Sequence, residues 1–102
     1  MKFGLSEIDL HFIIQTISQF VEIEKAVIFG SRAMGNYQPG SDIDIALWGK
    51  NVTWDTISRL HAILEEESPL PYMFDIIDYG SADENIKAHI DRVKIEIYHK
   101  SM

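Results

Sequence analysis

The sequence predicts an α/β (α+β) domain, a small mixed β-sheet of about four strands with helices packed on it. Three observations lead there. Short apolar runs that include β-branched residues stand at 26–29, 43–48 and 73–78, each followed closely by a glycine. Between them lie longer stretches whose apolar residues recur at helical spacing. At 102 residues with 46% hydrophobic content, the chain supports one core, and two domains would each be too small to fold alone. Residues 1–102 are therefore expected to form a single domain.

Ser6 followed by Asp9 resembles a helix start, and Ile8, Phe12, Ile13, Ile17, Phe20 and Val21 continue at helical spacing, which predicts an amphipathic first helix. Ala26-Val27-Ile28-Phe29, stopped by Gly30, reads as a buried strand. Ser31 to Met34 suits a short helical turn. The segment Gly35-Asn36-Tyr37-Gln38-Pro39-Gly40 is a loop, because two glycines and a proline exclude regular structure. Ile43 to Trp48 is a second strand, closed by Gly49. Thr53 is the expected N-cap of a helix with Ile57, Leu60, Ile63 and Leu64 inward, and Glu65-Glu66-Glu67 near its end reads as solvated surface. Pro69 and Pro71 break the chain before a third strand, Met73 to Asp78. A helix from about Ser81 is expected to turn Ile86, Ile90 and Val93 inward. Val93, Ile95 and Ile97 then alternate with polar residues as in an edge strand.

Composition removes several function classes. The formal charge of −7 opposes wrapping of a long nucleic acid, which requires many phosphates to be neutralised. No apolar run approaches the roughly 20 residues needed to span a bilayer, and the start lacks a basic, apolar and cleavable leader, so no membrane role and a cytoplasmic location are expected. With no cysteine, disulfides, thiolate catalysis and Cys-rich zinc sites are excluded. No glycine-rich stretch runs into Lys-Ser or Lys-Thr, which excludes a Walker-type loop, and Ser31 has no evident histidine partner for a hydrolase triad.

The segment from Gly30 to Asp44 carries most of the chemical information. A strand that ends in Gly30-Ser31 and opens a helical turn presents free backbone N–H groups, close approach and a hydroxyl, which suits a phosphate; an ordinary strand-to-helix turn reads the same way. Asp42 and Asp44 stand two apart at a strand start, so their side chains share one face about 6–7 Å apart at the backbone. Two such carboxylates repel unless one takes a proton or a divalent cation bridges them, and oxygen donors select a hard cation such as Mg2+. The plainer alternative is a surface turn in which Asp42 caps and Asp44 meets water. Asp75 lies among Phe74, Ile76 and Ile77, where a buried charge needs compensation. If its strand lies beside that of Asp44, three carboxylates meet, as two-metal phosphoryl or nucleotidyl transfer requires, with Asp75 a candidate general base. Asp78, on the opposite face and at the strand end, is expected to serve a turn.

Gly30-Ser31-Arg32-Ala33, then Ser41-Asp42-Ile43-Asp44, then an aspartate about thirty residues later in an apolar strand resemble the polymerase-β-type nucleotidyltransferase superfamily, and within it the minimal nucleotidyltransferases. The resemblance spans nearly the whole chain. It implies a palm-like fold, with ATP as substrate and two Mg2+ ions. Gly30, Ser31, Arg32 and Ser41 would contact the nucleotide, and Asp42, Asp44 and Asp75 would hold metal and carry catalysis. It also implies an antitoxin that transfers AMP to a tyrosine of a HEPN-domain ribonuclease toxin within a hetero-oligomer. Two other readings stay open: a binding module that neutralises its partner by occlusion, and transfer to a small molecule such as an aminoglycoside.

Elsewhere, His11, His61, His89 and His99 show no metal-type spacing. Trp48 and Trp54 suit core-margin packing, with base stacking or partner contact as the alternative. Tyr37 lies in a loop that passes near the expected phosphates.

Overall fold

The computed structural model describes residues 2–68 and 70–101; the chain break expected at Pro69 falls outside them. Helix α1 (Glu7–Ser18) starts where Ser6 accepts a hydrogen bond from the Asp9 N–H, satisfying one of the free donors of the first turn. It buries Ile13, Thr16 and Ile17. The helix ends before Phe20, which is buried in the following turn, whereas Ile8 and Val21 are exposed rather than inward. Their helical spacing continued the pattern without sharing the buried face.

Strand β1 (Lys25–Phe29) runs directly into the one-turn helix α2 (Gly30–Met34), which Gly35 closes in the left-handed conformation. After the loop, β2 (Ile43–Trp48) leads through a turn to α3 (Trp54–Glu65). Thr53 and Thr56 form a reciprocal capping box at the start of α3, as the sequence leads one to expect of Thr53. Strand β3 (Phe74–Asp78) begins one residue later than expected and passes through a single 3-10 turn (Tyr79–Ser81). Helix α4 (Glu84–Val93) then starts at an Asp83 cap, later than the expected Ser81, and β4 (Ile95–His99) follows. Glu65 is not a solvated residue of its acidic triplet: its carboxylate accepts from the Phe74 N–H at 2.6 Å and meets His61 Nε2 at 2.8 Å, tying the end of α3 to the start of β3.

The four strands form one mixed sheet in the order β3-β2-β1-β4. β1 pairs antiparallel with β2 and β4, and β2 pairs parallel with β3. Alternation then divides the side chains between two faces. One face, with Ala26, Ile28, Ile43, Ile45, Leu47, Phe74 and Ile76, packs with Ile13 and Ile17 of α1 and Leu60 and Leu64 of α3. Each large aliphatic residue buried there stabilises the fold by about 1.5–3 kcal/mol before entropy is counted. The other face carries a smaller cluster, Val27, Phe29 and Ala46 with Ile90 of α4. Ile86, expected inward on α4, is 41% exposed, and Val93 is only half-buried. Among the described residues no helix is long and apolar enough to cross a membrane.

Candidate active site

The second face of the sheet is polar at one end. Asp44 on β2 lies opposite Phe29 of β1 on one side and opposite Asp75 of β3 on the other. Parallel pairing of β2 with β3 sets this register, and period-2 alternation puts both carboxylates on the face away from α1 and α3. Asp42 sits just before β2 and is exposed, adding a third negative charge. Asp75 is exposed as well. The expectation of a charge buried among apolar neighbours is therefore corrected: Phe74 and Ile76 point to the opposite face, and Asp75 meets solvent beside Asp44.

The clustering shows in the ionisation of Asp44, pushed up from 3.8 to about 6. Partial burial is the largest cause, followed by the charges of Asp75 and then Asp42, with Arg32 acting in the opposite direction. Gly30 makes the close approach possible. Its φ of +71° is one that other residues adopt at a cost, and a Cβ there would collide with the Asp44 carboxylate. Gly30 thus leaves open the space between the start of α2 and Asp44, with half-buried Ser31 next to it.

Arg32 and Ser41, which the resemblance assigns to the nucleotide, both make contacts within the chain. Arg32 is buried. Its Nε and Nη2 donate to the Ser41 carbonyl at 3.1 and 2.8 Å, and Nη1 donates to the Phe3 carbonyl at 2.8 Å. Tyr37 and Tyr72 flank the guanidinium, with ring centres 5.2 and 5.3 Å away. A planar fork that satisfies carbonyls in two segments ties the chain before α1 to the residue preceding Asp42, and so acts on the site through backbone position. Ser41 Oγ accepts from the Gln38 N–H at 2.8 Å and the Ser41 N–H donates to the Gln38 carbonyl, making it a loop-closing residue.

Other residues fall where turns and packing require them. Asp78 accepts from the Gly80 N–H and the Ser81 hydroxyl, the turn role expected of it. Trp48 stacks on Tyr79 at 4.4 Å, with Lys25 Nζ 4.1 Å from its ring centre, whereas Trp54 is 80% exposed. Sequence reasoning missed a cleft of about 350 Å³ beside Asp75, lined by Phe29, Ile77, Asn85, Ile86 and His89. The signal was the spacing of Asn85 and His89, one turn apart on α4, with His89 set edge-on to Phe29.

Among the described residues no three His, Asp or Glu side chains form a ready metal-ligand set. The site nonetheless fits Mg2+, which keeps waters and needs only one or two carboxylates plus substrate phosphates. Asp44 and Asp75 are paired hard-oxygen donors whose mutual repulsion a cation relieves.

Solved structures share this fold. One chain of a structure described as a toxin–antitoxin with AMP-PNP superposes with a TM-score of 0.73 at 20% identity, covering 95% of this chain and 76% of that one. A Shewanella oneidensis structure, described as a tri-AMPylated HEPN toxin in complex with MNT antitoxin, gives 0.72 at 18% identity over 94% and 74% of the two chains. A structure described as the toxin–antitoxin MntA-HepT gives 0.71 at 18% identity over 93% and 74%. No curated protein matches the sequence. The fold is thus the one these chains share. The chain belongs to the polymerase beta nucleotidyltransferase family, whose sequence model matches residues 11–102.

Proposed function

We propose that this chain is a Mg2+-dependent nucleotidyltransferase that moves AMP from ATP to a protein hydroxyl, a tyrosine of a HEPN-domain toxin with which it forms a hetero-oligomer as the antitoxin. The observation that carries the chemistry is the pairing of Asp44 with Asp75 across β2 and β3, with Gly30 holding open the space above Asp44. Family membership supports nucleotidyl transfer. The fold shared with chains from structures described as a toxin–antitoxin with AMP-PNP and a tri-AMPylated HEPN toxin with MNT antitoxin supports ATP and that partner.

In this reading Gly30 and Ser31 receive the triphosphate, and Asp42, Asp44 and Asp75 hold the metal. Bound Mg2+ supplies charge neutralisation for the phosphates and for the developing negative charge. The acceptor oxygen forms a bond to the α-phosphorus, the bond between that phosphorus and the bridging oxygen breaks, and pyrophosphate leaves with the electron pair. Asp75, exposed at the mouth of the site, takes the acceptor proton. Arg32 keeps its structural position and the nucleotide is not assigned to it. A cytoplasmic location belongs to this reading, and the absence of a long nucleic-acid partner accords with the acidic composition.

The test is the intact mass of a co-encoded HEPN-domain protein after incubation with this chain, ATP and Mg2+, with Asp42→Asn as control. Gain of one or more AMP units, absent with the variant, is the expected result. A tight complex with no mass gain would instead favour neutralisation by occlusion.

A further inference from the structure

The cleft beside Asp75 does not end at the carboxylates. A second cleft of about 410 Å³ shares Ile77 and Ile86 with it and continues around β3 to Ile57 and Trp54. Together they make one apolar trough, from Phe29 and Ile77 on the polar end of the sheet, past Ile86, to Trp54 on the α3 side. Trp54 is 80% and Ile86 41% exposed, an unusual placement for large apolar side chains lying in the same trough. Strand β3 terminates the sheet: among the described residues its only strand partner is β2, the Phe74 N–H on it is taken by Glu65, and its outer edge lies under the same trough. Carboxylates stand along it: Asp75 lines the first cleft and Asp78 the second, Asp44 pairs with Asp75 across β2 and β3, and Asp83 and Glu84 lie in the chain between the lining residues Ala82 and Asn85. Lys87 is directed over the ring of Tyr79.

We propose that this trough is the docking surface for the acceptor polypeptide, a segment with an apolar anchor flanked by Lys or Arg side chains, which brings its hydroxyl to Asp75. The inference rests on the transferase reading and adds where and by what chemistry the acceptor is held. Two features select this occupant. The trough is continuous with the carboxylate pair, so whatever fills it is delivered to the site of transfer. Its carboxylates complement a cationic segment and would repel a second copy of this chain, whose net charge is −7.

The test uses the whole chain and the co-encoded HEPN-domain protein as probe, with complex affinity, AMP transfer and AMP-PNP affinity measured separately. Ile86→Asp and Trp54→Asp are expected to weaken the complex at least tenfold and raise KM for the protein acceptor, with AMP-PNP affinity unchanged. Val21→Asp, at an exposed apolar position near the opposite end of β1, serves as the control and is expected to bind as wild type. Wild-type affinity in both trough variants, or equal weakening by Val21→Asp, overturns the proposal, as does a wild-type chain that does not bind the probe. Self-association abolished by Ile86→Asp would make the occupant a second copy and overturn it likewise. A complex that depends on Ile86 and Trp54 yet transfers no AMP would refute the transferase reading and leave the docking surface standing.

Discussion

Asp44 is the residue at which burial, two neighbouring charges and a close glycine act on one carboxylate. Its pKa of about 6 against an ordinary 3.8 means that the folded chain favours the protonated form. The stability tied to that proton is fully present below pH 3.8 and is lost as pH rises through about 6. Asp44→Asn, neutral at every pH, is therefore expected to raise Tm at pH 7.5 in the presence of a chelator and to change it little at pH 3.5. Because the group is only partly buried, solvent screening reduces the effect to on the order of 1 kcal/mol, or about 5 °C. Equal shifts at both pH values would mean that packing, and not charge, is responsible. At this scale much of the candidate site was legible: the spacing of Asp42 and Asp44 and an aspartate within an apolar strand bring together the carboxylates found at one end of the sheet. The exposure of Asp75 was not legible, since Phe74-Asp75-Ile76-Ile77 contains apolar residues of both faces and burial depends on which face meets α4. Nor was the direction of Arg32, which is decided by carbonyls at Phe3 and Ser41 and by two tyrosines distant in sequence.

The elements that present the site are held by a few polar ties. Arg32 fastens α2 to the end of the loop before β2 and to the segment before α1, and Glu65 fastens α3 to β3. Arg32→Met keeps the apolar stem and removes three hydrogen bonds, leaving two carbonyl groups short of a donor. Destabilisation of about 2–4 kcal/mol is expected by chemical denaturation, with little rescue by Arg32→Lys, whose ammonium cannot reproduce the fork. If Arg32→Met unfolds like wild type and loses only nucleotide affinity, the residue contacts nucleotide after all. Strands were the elements most legible in the sequence, because apolar runs of four to six residues bounded by glycines admit little else. Helix faces were less so. Ile8, Val21 and Ile86 obey helical spacing yet remain exposed, because spacing identifies a stripe and only the packed neighbour decides how wide a part of it is covered.

For the molecule as a whole, the mixed sheet joins a purely structural layer, where α1 and α3 cover one face, to a sparsely covered face whose polar end carries the carboxylates. The parallel pairing of β2 with β3 also has a kinetic consequence. Asp44 and Asp75 come from strands separated by the whole of α3, so they meet only when β3 docks, and docking brings two like charges together. Folding should therefore be opposed by the charges of its own candidate site. Refolding in chelator is expected to be slower at pH 8 than at pH 5, and Asp44→Asn should flatten that dependence, as stopped-flow fluorescence of Trp48 and Trp54 would reveal. A wild-type refolding rate that does not change between pH 5 and pH 8 would place the charge confrontation after the folding barrier, where it would accelerate unfolding instead. In either case, under the proposed function, a divalent cation that relieves the repulsion would act on the lifetime of the folded chain as well as on its chemistry, and metal availability would then set how long each molecule persists between synthesis and proteolysis.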